Sequence, residues 1–312
     1  MKYIFYAVLC CLFLNACSKK IEVDNPESLT VSVDPAHLKN DTLYYKVGDT
    51  AKFFMSGNAG HILFYSGEIG RNYLYANRTV AQGIPQLVFT SNAQTGTQAN
   101  TLQVLATNKL AKLDEEHIVA ANWTNITSRA TLSIGSGAVA SGTINMADLI
   151  TGTSDSLFIA FKYTGLTGTA QRTWTITNLT VNNVLPDGNI VPQVTLAADL
   201  NYWTKLKIGS STANWVPTAT QLQVVGGTAT APNNISWVVS KPIYVSRINP
   251  DVPVVVKPLA GEIPVYTIAG KTYSGYNYQY NTKGTYAATI VVYNNSIDEQ
   301  KTMIKQFIIK VL

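Results

Sequence analysis

The residues best suited to chemistry in this chain are aromatic rings set among amides: Asn201-Tyr202-Trp203 and Asn214-Trp215, separated by Gly209-Ser210-Ser211, and the run Tyr273-Ser274-Gly275-Tyr276-Asn277-Tyr278-Gln279-Tyr280. An aromatic face accepts the apolar face of a pyranose, while nearby amides and carboxylates hydrogen-bond its hydroxyls. On that logic Trp203 and Trp215 are the first candidates for glycan binding, and Tyr276 and Tyr278 the second. The competing reading closes a sandwich core with both tryptophans, since indoles are buried on average. It gives Tyr276, Tyr278 and Tyr280 to cross-strand packing on one face of a strand. Trp123, Trp174 and Trp237 sit in apolar surroundings and are read as core.

Other chemistries find less support. Glycoside hydrolysis needs two carboxylates across a cleft; Glu68, Asp148, Asp199, Asp251 and Glu262 are the acids that could in principle supply them from distant strands, and the sequence does not pair them. No nucleophile elbow, metal motif or phosphate loop accompanies them, so the chain is expected not to be an enzyme, with a hydrolase kept as an alternative. His37, His61 and His117 are too scattered for a zinc site. No cofactor and no catalytic metal is expected; a structural calcium held partly by Asp114-Glu115-Glu116 is left open, against a plain solvated acidic turn.

The elements that must position these residues read as strands. In Leu29-Thr30-Val31-Ser32-Val33 one face is apolar and the other hydroxylic. Leu157, Ile159, Phe161 and Tyr163 share one face of a second strand, whose other face runs from Phe158 and Ala160 to Lys162 and Thr164. Along Thr173-Trp174-Thr175-Ile176-Thr177-Asn178-Leu179-Thr180-Val181 the apolar set moves from even to odd positions, which requires a bulge near Asn178. No window sustains a long amphipathic helix, so the fold is expected to be all-β.

The N-terminus decides the compartment. Met1-Lys2 precedes an apolar run from Tyr3 to Leu14, too short to span a bilayer as a helix, which takes about 20 apolar residues. The segment closes on Leu14-Asn15-Ala16-Cys17, which resembles the lipobox of bacterial lipoproteins. That resemblance implies a signal peptide over 1–16 and lipidation of Cys17, hence attachment to a membrane through a lipid anchor. Residues 17–28 read as a tether. No aspartate follows Cys17, so the family's sorting rule implies the outer membrane; Lys19 and Lys20 leave open which of its faces. Cys10 and Cys11 leave with the signal, so the mature chain forms no intrachain disulfide. A formal charge of +5 without a basic block gives nucleic-acid binding no support.

The two ends look like complementary halves of one domain. Val47-Gly48-Asp49-Thr50-Ala51-Lys52-Phe53-Phe54 with Ile62-Leu63-Phe64-Tyr65-Ser66-Gly67-Glu68 resembles the opening of a PKD or immunoglobulin-like domain, and Lys283 through Val311 resembles its close. The middle resembles the jelly-roll modules of Bacteroidota surface lipoproteins in Ala121-Asn122-Trp123-Thr124-Asn125-Ile126-Thr127-Ser128-Arg129, Leu157–Tyr163 and Thr173–Ile176. The expected organisation is two β-sandwiches: a PKD/immunoglobulin-like domain split over 29–82 and 246–312, with a jelly-roll module over 83–245 inserted. Members of that outer-membrane lipoprotein family, mostly of unknown function, often accompany glycan importers. The resemblance therefore implies polysaccharide capture, with an importer complex as a further partner. A structural or adhesive role toward a protein partner is the alternative.

Overall fold

The computed structural model describes residues 23, 25–26, 29–152, 154–196, 200–257, 271–297 and 299–312. Residues 1–16, read above as a signal peptide, Cys17 and most of residues 17–28, read as a tether, lie outside the described residues, as do Asp199 and Glu262. The fold is all-β, as read from the period-two patterning, and the strands stack as sandwiches. The chain divides into two compact units, one made of residues 1–77 and 250–312 and the other of residues 78–249. No helix of the described residues is long and apolar enough to cross a membrane.

In the unit of residues 78–249, one sheet runs in the order Ala138–Ala140, Ile84–Ala93, Trp174–Val184, Gln221–Val224, Trp215–Pro217. The facing sheet runs Trp203–Ile208, Asn234–Ser240, Ser156–Gly165, Leu102–Thr107, Thr124–Asn125. Alternation along Ile84–Ala93 points Leu87, Phe89 and Ala93 inward, where Phe89 meets Phe161 of the other sheet edge-on at 5.3 Å between ring centroids. Leu157, Ile159, Phe161 and Tyr163 all face this core, each at no measurable exposure. A buried side chain of that size contributes about 1.5–3 kcal/mol of hydrophobic stabilisation. Their strand has a second apolar face as well, because a short helix, Glu115–Ala120, covers the outside of its sheet and buries Ile118 beside Ala160 and Trp237.

Asn178 adopts a left-handed φ of +51°, and the register against Ile84–Ala93 skips between Thr177 and Thr180. The bulge lets Trp174 and Ile176 on one side of it, and Leu179 and Val181 on the other, all enter the same core. The two ends of this unit pair with each other: Val80 bridges Arg247, Ala81 N donates to Ser246 O at 2.8 Å, and Ile248 N donates to Thr79 O at 3.1 Å. The chain thus arrives and departs side by side, the geometry an inserted unit needs.

The other unit stacks a six-stranded sheet on a three-stranded one. The larger runs Leu38–Lys39, Thr42–Tyr45, Gln300–Val311, Gly284–Asn295, His61–Tyr65, Val254–Val255; the smaller runs Thr30–Val33, Thr50–Ser56, Gly275–Gln279. Strict alternation in Thr50–Ser56 buries Ala51, Phe53 and Met55, and Phe53 tilts against Phe64 of the larger sheet at 5.2 Å. Ile308–Val311 pairs in parallel with Thr42–Tyr45, so the last strand of the chain closes on one of the first.

Candidate functional site

Among the described residues, Gly275–Gln279 is an edge strand of the three-stranded sheet, paired with Thr50–Ser56 in the register Tyr276 to Phe53 and Tyr278 to Ala51. Alternation sends Asn277 and Gln279 outward and turns Tyr276, Tyr278 and Tyr280 to one face, over Phe64. Phe64 lies 4.8 Å from the Tyr276 ring and 5.1 Å from that of Tyr278. Tyr280, fully buried, stacks on Tyr286 at 4.8 Å and donates its hydroxyl to Ser66 O at 2.9 Å. Tyr276 and Tyr278 are half-buried, and among the described residues the sheet ends at their strand.

A carboxylate closes this strip. Ser66 Oγ donates to Glu68 Oε2 at 2.8 Å, and the Tyr278 hydroxyl donates to the same oxygen. Gly67 sets the approach: its φ is +83°, and a Cβ there would stand 2.6 Å from Ala287 N. Only glycine lets the turn pass so close to the neighbouring strand. The turn is tied by Gly67 N to Arg71 O at 3.0 Å and Arg71 N to Glu68 O at 2.9 Å. Burial raises the Tyr276 and Tyr278 phenols above the ordinary value, with the hydrogen bond to Glu68 adding to the rise for Tyr278; the Arg71 guanidinium opposes both. The phenols are neutral donors at physiological pH. Two half-open rings, a carboxylate and a guanidinium together can stack on an apolar ring face and exchange hydrogen bonds with hydroxyls around it.

The tryptophan candidates are corrected by the structure. Trp215 has no exposed surface, lies 6.2 Å from Phe161, and donates Nε1 to Ser236 O at 3.4 Å. Trp203 is 6% exposed and packs edge-on against Tyr202. Neither indole offers a face to a ligand, because strand alternation turned both into the core, where their apolar area is removed from water. Cys17 lies outside the described residues.

The remaining sequence candidates are dispersed. Asp148 is held by Arg129 in a two-pronged ion pair, both contacts at 2.7 Å, which keeps its carboxyl below the usual range. Asp251, 5% exposed, accepts from Asn72 N at 2.9 Å. Asp114 caps the helix Glu115–Ala120, accepting from His117 N at 3.0 Å with His117 Nδ1 at 2.5 Å, so this acidic run is a helix start. Its carboxyl is lowered chiefly by that backbone hydrogen bond. His61 stacks on Tyr293. Among the described residues no group of three or more His, Cys, Asp or Glu is placed to hold a metal ion.

Sequence reasoning missed Glu68 as a partner of Tyr278. The two are 210 positions apart and no local pattern joins them; the one available signal was the Ser66-Gly67-Glu68 turn beside a strand rich in aromatics.

The sequence pattern of the family described as Domain of unknown function (DUF5017) matches residues 16–200. The match includes Glu68 and the turn that carries it and stops short of Tyr276 and Tyr278. No curated protein and no solved structure matches the chain.

Proposed function

Because the chain belongs to the DUF5017 family, whose description assigns no activity, we propose its role from its own chemistry: a lipoprotein of the outer membrane, anchored through Cys17, that binds glycan without cleaving it. The observation that carries the reading is the hydrogen bond from Tyr278 to Glu68 over the Phe64 ring, which places a carboxylate at the end of a half-open tyrosine strip. Sugar-binding surfaces need that combination of ring face and fixed polar group. The reading draws further support from the lipobox-like Leu14-Asn15-Ala16-Cys17 and from the resemblance to Bacteroidota surface lipoproteins that accompany glycan importers. A non-catalytic role fits the described carboxylates, of which Asp148 is tied to a guanidinium and Asp251 to a backbone amide.

The test is migration through gels containing soluble polysaccharides, comparing the protein with Tyr276→Ala and Tyr278→Ala. Retardation by at least one polysaccharide, reduced in both variants, is the expected result. Retardation unchanged by either substitution would remove the strip from the site. A protein that no polysaccharide slows would favour the adhesive role.

A further inference from the structure

A second concavity in the split unit, of about 390 Å³, is lined by Asp34, His37, Tyr45, Asp49, Thr50 and Lys52. It shares no residue with the tyrosine strip. Tyr45 is 3% exposed, and its buried hydroxyl, whose oxygen the Lys52 backbone amide approaches, donates to no acceptor in the fold. Buried polar atoms in folded proteins are paired almost without exception, so an orphaned phenol bordering a cavity marks a donor waiting for an acceptor. Burial first, then the fields of the rim carboxylates Asp34 and Asp49, keep the phenol's proton on, against the opposing hydrogen bond of the Lys52 backbone amide.

The surrounding groups have fixed roles. Asp34 Oδ1 accepts from Ala36 N at 2.9 Å, and Asp49 Oδ2 accepts from Lys46 N at 2.8 Å. Each carboxylate is thereby oriented and keeps a second oxygen for a ligand. His37 Nδ1 stands 2.9 Å from Tyr44 O. A carbonyl only accepts, so Nδ1 carries the proton and Nε2 of the neutral ring is an acceptor. The imidazole stacks on Tyr45 at 4.3 Å and 24°, which holds both rings in place. Residues that donate (Tyr45, Thr50, Lys52) and residues that accept (Asp34, Asp49, His37) thus line one volume.

A ligand whose groups each donate and accept suits that lining best, and a sugar hydroxyl does both. A bare cation is disfavoured by the Lys52 ammonium and by the lack, among the described residues, of a metal-holding group. We propose that the Tyr45 pocket is a binding site for a single sugar residue, with the Tyr45 hydroxyl as its buried donor and the Asp34 and Asp49 carboxylates as its acceptors. This site is separate from the strip, and either can exist without the other.

The experiment titrates the full chain, held in detergent, with glucose, galactose, mannose, xylose and N-acetylglucosamine by calorimetry. Tyr45→Phe removes the hydroxyl and keeps the ring; Asp34→Asn keeps the turn cap and alters an acceptor. At least one of these sugars is expected to bind, and Tyr45→Phe to weaken it at least tenfold with little change in the urea midpoint, since no acceptor in the fold is lost. Asp34→Asn weakens it too. Any of three results overturns the proposal: none of the sugars binds, binding is unaffected by Tyr45→Phe, or Tyr45→Phe destabilises the fold and so reveals a partner for the hydroxyl. Polysaccharide retardation that depends on Tyr276 but not on Tyr45 would retain the strip and remove the pocket.

Discussion

Asn234→Ala tests how the turn before Trp215 is held. Asn234 has no exposed surface; its Oδ1 accepts from Thr212 N at 2.7 Å, Ala213 N at 3.1 Å and the hydroxyls of Ser211 and Thr212 at 3.2 Å, while Nδ2 donates to Gln171 Oε1 at 2.7 Å. Truncation leaves the Thr212 and Ala213 amides without their acceptor. The Ser211 hydroxyl retains Ala213 O, and Gln171 Oε1 retains Gly227 N. Two stranded amides at about 1–3 kcal/mol each give an expected loss of about 4 kcal/mol. With a urea slope of about 2 kcal/mol per molar, the midpoint falls by about 2 M. All five tryptophans lie between residues 78 and 249, so indole fluorescence reports this unit alone. A loss below about 1 kcal/mol would refute the reasoning, because it would mean that the amides find other partners at little cost. Asn234→Asp keeps the acceptor and loses the donor, and should fall between the two.

Trp215→Ala should cost about 3–5 kcal/mol in urea unfolding followed by far-ultraviolet circular dichroism, which does not depend on the indoles, yet leave polysaccharide retardation of the folded fraction intact. Burial pushes the phenols of Tyr163 and Tyr202 up to about 12 from an unfolded value of 10.0. The unfolded chain therefore releases these protons first, so the stability is fully present below pH 10 and is lost as pH rises from 10 to 12. Fluorescence-detected unfolding across that window should show the decline, and Tyr163→Phe, which removes an unpartnered hydroxyl, should flatten it. Gly67→Ala forces a left-handed φ on alanine and a clash with Ala287 N, with a cost of at least about 1 kcal/mol. It should also displace Glu68 and weaken glycan retention more than Tyr278→Phe does, as read in the same affinity gels.

What could be read in the sequence was whatever depends on neighbours along the chain. The shared face of Leu157, Ile159, Phe161 and Tyr163 followed from alternation, and the bulge at Asn178 followed from the change of phase beside it. The common face of Tyr276, Tyr278 and Tyr280 was equally local. Depth was not legible. Glycine, serine and asparagine around Trp215 look like a solvent-facing loop, but Ser211 and Asn234 turn their polar groups toward each other and bury the turn. The acidic run at Asp114 reads as a solvated turn, with calcium left open, because a helix of only six residues leaves too short a period to detect. Pairings such as Tyr278 with Glu68 depend on strands that the fold brings together from opposite ends of the chain.

The parallel pairing of Ile308–Val311 with Thr42–Tyr45 bears on the order of assembly. A polypeptide made from its N-terminus exposes Leu43 and Tyr45 long before the strand that covers them exists, and the whole of residues 78–249 emerges in between. The middle unit has all its own strands and is free to fold while the first segment waits. Completion of the split unit therefore waits for the final dozen residues, although the middle unit, once folded, brings the ends of the two outer segments together and shortens the loop to be closed.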